Sequence, residues 1–118
     1  MITVNGQKTT RLRLKHGEVK IFIFKYNVDI QNATFTFAIK NDKNQATPDI
    51  LIQDNDFDKS EISNRIVKCL VDTSPLTAGE IYFGEMKTTW VDQQGNSIVD
   101  KTEDIVIEIT EAVTPWFR

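Results

Sequence analysis

Apolar residues recur at every second position along most of this chain. In "ATFTFAIKN", Phe35, Phe37 and Ile39 fall on one side, while Thr34, Thr36 and Ala38 fall on the other. Side chains of a β-strand point alternately to opposite faces, so this spacing predicts a strand with one buried face. "RIVKCLVD" repeats the pattern with Val67, Cys69 and Val71, and "DIVIEIT" repeats it with Ile105, Ile107 and Ile109. In "EVKIFIFKY", Phe22 and Phe24 alternate with Ile21 and Ile23. That nearly continuous apolar run predicts a central strand covered on both faces. "KTTRLRLK" and "DILIQ" are shorter strand candidates. Turn formers separate the runs: "HGE", "NDKNQ" and "DQQGN", the last with Gly95 available for positive φ. "DKSEISNRI" is the one helical candidate, and its polar residues limit it to a single turn. About seven to eight short strands with regular turns and no crossover helix predict an all-β fold. The expected architecture is an antiparallel immunoglobulin-like β-sandwich, with residues 1–118 forming one domain.

A chain of 118 residues buries roughly two-thirds of its unfolded surface on folding, so this sandwich needs neither a disulfide nor a metal for stability. The net charge of −3 argues against a nucleic-acid partner, which is normally met by a basic face. Lys8, Arg11, Arg13, Lys15, Lys20 and Lys25 do gather near the N-terminus. Arg11, Arg13 and Lys15 alternate with leucines, however, and so line one solvated side of a strand. The charges of "KTTRLRLK" suit a blunted sheet edge. Cys69 has no internal partner for a disulfide and lies among apolar neighbours, where a free cysteine behaves as a small hydrophobe. No run of about 20 apolar residues exists to span a membrane as a helix. The N-terminus lacks the charged-then-apolar pattern of a signal peptide, so synthesis in a cytoplasm is expected. Asn32-Ala33-Thr34 matches a glycosylation acceptor, read as a chance match in that setting.

"DNDFDKSE" offers Asp54, Asp56, Asp58 and Glu61, hard oxygens of the kind calcium prefers. The spacing fails as a calcium loop, because Lys59 stands where the turn glycine belongs and Arg65 where the bidentate glutamate belongs. The run is read as an exposed acidic loop. His16 is the one histidine, and with Cys69 it makes too few ligands for a zinc site of those residues. Neither a nucleophile elbow nor a glycine-rich phosphate loop is present. The expectation is therefore no enzyme, no catalytic residue, no cofactor and no metal. Tyr26, Tyr82, Trp90 and Trp116 are the aromatics on which a sugar-binding module would have to rely. Tyr82, Gly84, Met86 and Trp90 share one strand face, and a large–glycine–large row suits a packed core. Trp90, beside the hairpin, stands between core and contact. Trp116 and Phe117 follow a proline, and either fold back on the sandwich or dock on a neighbouring subunit. Trp90, Trp116 and Phe117 are the candidate interface or ligand contacts.

The order of these features resembles the N-terminal immunoglobulin-like domain of phage baseplate upper proteins and, more loosely, other small phage tail and virion β-sandwich proteins. "RLRLKHGEVKIFIF" is similar to the opening strand, glycine turn and apolar strand of that family, and "ATFTFAIKNDKNQ" to the aromatic-bearing segment after them. "DTSPLTAGEIYFGEMKTTWVDQQGNSIV" resembles its Leu-x-x-Gly-x-Tyr element, through Leu76, Gly79, Tyr82 and the later Gly95. "EDIVIEITEAVT" matches the closing strand, and the likeness spans about residues 8 to 114. It implies a non-enzymatic structural subunit of a phage or prophage particle, an adaptor or accessory of the baseplate or tail. The implied partners are other virion or tail subunits and further copies of the chain, with no nucleic acid and no membrane, and the implied location is the virion. A carbohydrate- or cell-surface-binding β-sandwich module is the alternative.

Overall fold

Each long alternating run forms a strand in the computed structural model, which describes residues 3–4, 7–8, 11–102 and 104–111. The strands are β1 (Thr3–Val4), β2 (Gln7–Lys8), β3 (Arg11–Lys15), β4 (Val19–Lys25) and β5 (Thr34–Lys40). They continue with β6 (Ile50–Ile52), β7 (Ile66–Asp72), β8 (Ile81–Val91), β9 (Ser97–Lys101) and β10 (Ile105–Thr110). Among the described residues the helical elements are two 3-10 turns, Asp54–Asp56 and Ile62–Asn64. The second is the single turn expected of "DKSEISNRI". No helix of the described residues is long and apolar enough to cross a membrane.

The larger sheet has the order β3–β10–β8–β5–β6, and β9 pairs with β8 beyond the end of β10. The smaller sheet is β4 with β7, and β1 with β2 makes a short ribbon. Among the described residues all pairings are antiparallel except one. β3 runs parallel to β10, from Arg11 beside Val106 to Lys15 beside Thr110. The larger sheet is therefore mixed, where an antiparallel one was expected. A parallel pair needs a long connection, and here almost the whole domain lies between the two strands.

The inward faces of the two sheets meet in a core centred on Phe37. Its ring centroid lies 5.7 Å from that of Phe22 and 5.3 Å from that of Phe24, at tilted angles that aromatic rings favour. Gly84 on β8 lies directly beneath the ring, where an added Cβ would stand 2.8 Å from it. Phe35 carries the aromatic cluster onward to Tyr26 and Phe57. Val67, Cys69 and Val71 close the core from β7, and Ile105, Ile107 and Ile109 close it from β10. These buried faces are the ones the alternation assigned.

β4 corrects a second expectation. Phe22 and Phe24 are wholly buried, but on the opposite face Ile21 is 48 % exposed and Val19 is 55 % exposed. The smaller sheet is an outer layer of a two-layer sandwich, so only one of its faces meets the core. Period-two patterning cannot separate a strand buried on both faces from one with an apolar outer face.

The stretch before β8 forms an anchored corner. Gly79 adopts φ +88°, a left-handed conformation that glycine takes without steric cost, and its N–H donates to the Ile109 carbonyl at 2.7 Å. The buried Tyr82 accepts the Thr77 N–H at its phenolic oxygen, at 2.8 Å. This is the bond of a tyrosine corner, formed although two residues rather than one separate Gly79 from Tyr82. On the β3 side of β10, Glu108 lies 3.9 Å from Arg11 and 3.4 Å from Arg13. Exposed pairs of this kind add little stability. Their charges do make the β3 edge an unfavourable template for another strand.

Candidate functional site

The acidic loop spends its carboxylates on local structure. Asp54 accepts the Phe35 N–H at 2.9 Å and a hydrogen bond from Lys59 Nζ at 2.8 Å, tying the loop to β5. Asp58 accepts the Ser60 N–H at 2.9 Å, and Glu61 pairs with Lys68 of β7. Burial works against ionisation of Asp54, but the bonds from Lys59 and Phe35 outweigh it and hold its carboxyl below the usual range. Among the described residues, no group of three or more His, Cys, Asp and Glu side chains is placed to hold a metal ion.

The β8–β9 hairpin turns at Asp92, whose carboxylate accepts the N–H groups of Gln94 at 3.0 Å and Asn96 at 2.8 Å. These bonds, that from Asn96 foremost, keep its pKa below the ordinary value. Gly95 has φ +83°, as its place in the turn requires. Trp90 stands opposite Ile98 across the hairpin and packs against the core while remaining half-buried. Two residues earlier, the buried Thr88 shares a 2.7 Å hydrogen bond with the Tyr26 hydroxyl. Trp90 is thus less enclosed than Tyr82 and Met86, yet it is not an exposed platform. Trp116 and Phe117 lie outside the described residues, so one of the three candidate contacts has a described position.

Burial pushes the Tyr26 phenol from an ordinary value of 10.0 up to about 12 and the Cys69 thiol from 9.0 up to about 12. Both groups stay neutral in the fold, and the unfolded chain releases their protons first. Their stabilising contribution is therefore complete below pH 9.0 and is lost as pH rises towards 12. Urea unfolding is expected to show a lower midpoint at about pH 11 than at about pH 8, and Cys69→Ala is expected to flatten that dependence. At the lower pH, thiol labelling of Cys69 is expected to follow global unfolding; rapid labelling of folded protein would contradict the burial of this thiol.

The surface that sequence reasoning missed is the outer face of the smaller sheet. Ile21 and Leu70 stand opposite each other in the β4–β7 ladder, and Leu70 is 63 % exposed. Val19 extends this face along β4, and Lys25, Lys68 and Asp72 fall on the same side. One signal was present in the sequence: Leu70 is out of phase with Val67, Cys69 and Val71, so it had to point away from them. Compared with known proteins, the chain matches no family model and no curated protein sequence, which leaves the fold and its exposed surfaces to carry the functional argument.

Proposed function

We propose that the chain is a non-enzymatic structural subunit of a phage or prophage particle, an immunoglobulin-like β-sandwich that acts as a baseplate- or tail-associated adaptor. Its mode of action is protein–protein contact, and the observation that carries this is the apolar outer face of Val19, Ile21 and Leu70. Single exposed apolar residues are ordinary, whereas apolar residues in cross-strand register form a patch that association with another protein removes from water. The occupant is a neighbouring subunit of the particle. The corner at Tyr82 supports the immunoglobulin-like part of the reading. The particle itself is inferred from the resemblance over about residues 8 to 114.

The test combines Ile21→Lys with Leu70→Asp. Surface changes away from caps and buried networks usually shift stability by less than about 0.5 kcal/mol, so the variant is expected to fold. Its amount in purified particles, measured by quantitative mass spectrometry, is expected to fall at least about tenfold, a loss of about 1.4 kcal/mol of contact energy. Normal incorporation of the folded variant would remove this face as the contact. Absence of the wild-type chain from particles would overturn the virion reading itself.

A further inference from the structure

We propose that the outer edge of β9 docks an extended, acid-bearing strand of a partner protein, which adds to the larger sheet antiparallel to β9. Three observations meet there. The first is an edge that no described strand pairs. Among the described residues β9 pairs with β8 alone, and β3, which covers the same side of β10, begins at Arg11 opposite Val106 and does not reach β9.

The second is the direction of the backbone groups. Asp92 N–H donates to the Asn96 carbonyl at 2.9 Å, so this opposed pair is a hydrogen-bonded rung. Such rungs alternate along an antiparallel ladder. The next ones are Trp90 with Ile98 and Thr88 with Asp100. The N–H and C=O groups of Ser97, Val99 and Lys101 consequently point away from β8, towards that edge. The side chains of these residues share the outer face of the sheet with Val91, Thr89 and Lys87, and Val99 is 54 % exposed.

The third is charge. Lys101 stands directly opposite Lys87 on that outer face, and neither forms an ion pair among the described residues. Like charges on one rung repel, and an acid on the next strand relieves the repulsion. The docked segment therefore carries Asp or Glu opposite Lys101, a β-branched residue opposite Val99 and an apolar one opposite Ser97. Read along an antiparallel strand, this is acid–x–apolar–x–apolar, a β-augmentation mode in which main-chain bonds supply affinity and alternate side chains supply specificity. A second copy fits less well. Self-pairing of β9 about Val99 sets Ser97 opposite Lys101 and leaves both lysines without an acid.

The probe is an end-capped peptide, Ser-Glu-Lys-Val-Thr-Val-Thr, with a control in which Lys replaces Glu. Nuclear magnetic resonance is expected to show the amides of Ser97, Val99 and Lys101 gaining protection from exchange when the peptide binds. Val99→Pro removes an N–H that faces away from the sheet, a position an edge strand tolerates, and is expected to weaken binding at least about tenfold. Lys101→Glu, which leaves the ladder untouched, is expected to reverse the preference between peptide and control. The proposal is overturned if the peptide does not bind. Equal binding by wild type and a folded Val99→Pro overturns it as well, as does an unchanged preference in Lys101→Glu. Protection of the same three amides by self-association, with no peptide present, would assign the edge to a second copy instead. These readouts are separate from particle incorporation through Ile21 and Leu70, so either proposal can fail alone.

Discussion

Phe37→Ala is expected to cost the domain about 3–5 kcal/mol, the usual penalty for deleting a buried aromatic side chain. The ring meets Phe22 and Phe24 of the facing sheet and covers Gly84 of its own, so its loss opens a cavity between the two layers. Natural domains of this size are stable by only about 5–15 kcal/mol, and the variant would fall close to the folding threshold. Gly84→Ala approaches the same contact from the other side. Its Cβ would stand 2.8 Å from the Phe37 ring, and that ring is held by two further aromatics, so overpacking of about 1–3 kcal/mol is expected. In a Phe37→Leu background the penalty at Gly84 is expected to shrink, with a coupling of at least about 0.5 kcal/mol. Denaturant midpoints of the four proteins in this cycle give the answer. Strict additivity would show that the ring does not confine Gly84.

Tyr82→Phe is expected to loosen the corner before β8. Phenylalanine keeps the buried ring and removes the oxygen that accepts the Thr77 N–H. Thr77 is itself exposed, so water can take up the freed N–H, and the cost is expected to be that of a typical hydrogen bond, about 0.5–1.5 kcal/mol. The loss is local as well as global. Exchange of the Thr77 amide is expected to quicken under native conditions, ahead of the amides of β8, as the corner opens by itself. If the Thr77 amide exchanges no faster in Tyr82→Phe than in the wild type, the hydroxyl does not hold the corner.

Local rules made much of the fold legible. β5, β7 and β10 each combine strict alternation with β-branched or aromatic residues, and both signals agree about the buried face. Gly95 could be placed because a hairpin turn of this kind favours positive φ, and Gly79 through its place in the Leu-x-x-Gly-x-Tyr element. The parallel partnership of β3 with β10 was not legible, since pairing between distant strands depends on the closure of the whole sandwich. The outward face of β4 was missed for a related reason: alternation records that both sides are apolar, but the number of layers decides which side is covered. The surface of β9 was hidden as well. Lys87 and Lys101 look like ordinary solubilising charges until the hairpin register sets them opposite each other. In the acidic loop, Lys59, the residue that interrupts the ligand spacing, is found bonded to Asp54, a pairing that needs the folded loop to be seen.

The parallel β3–β10 ladder has a mechanical consequence. Tension applied through residues 11 and 110 draws β3 backwards and β10 forwards along their own axes. The rungs between Arg11–Val106 and Lys15–Thr110 then bear the load together, in shear, instead of opening one after another like a zip. Force along that line meets its greatest resistance where the early and late parts of the chain lie side by side.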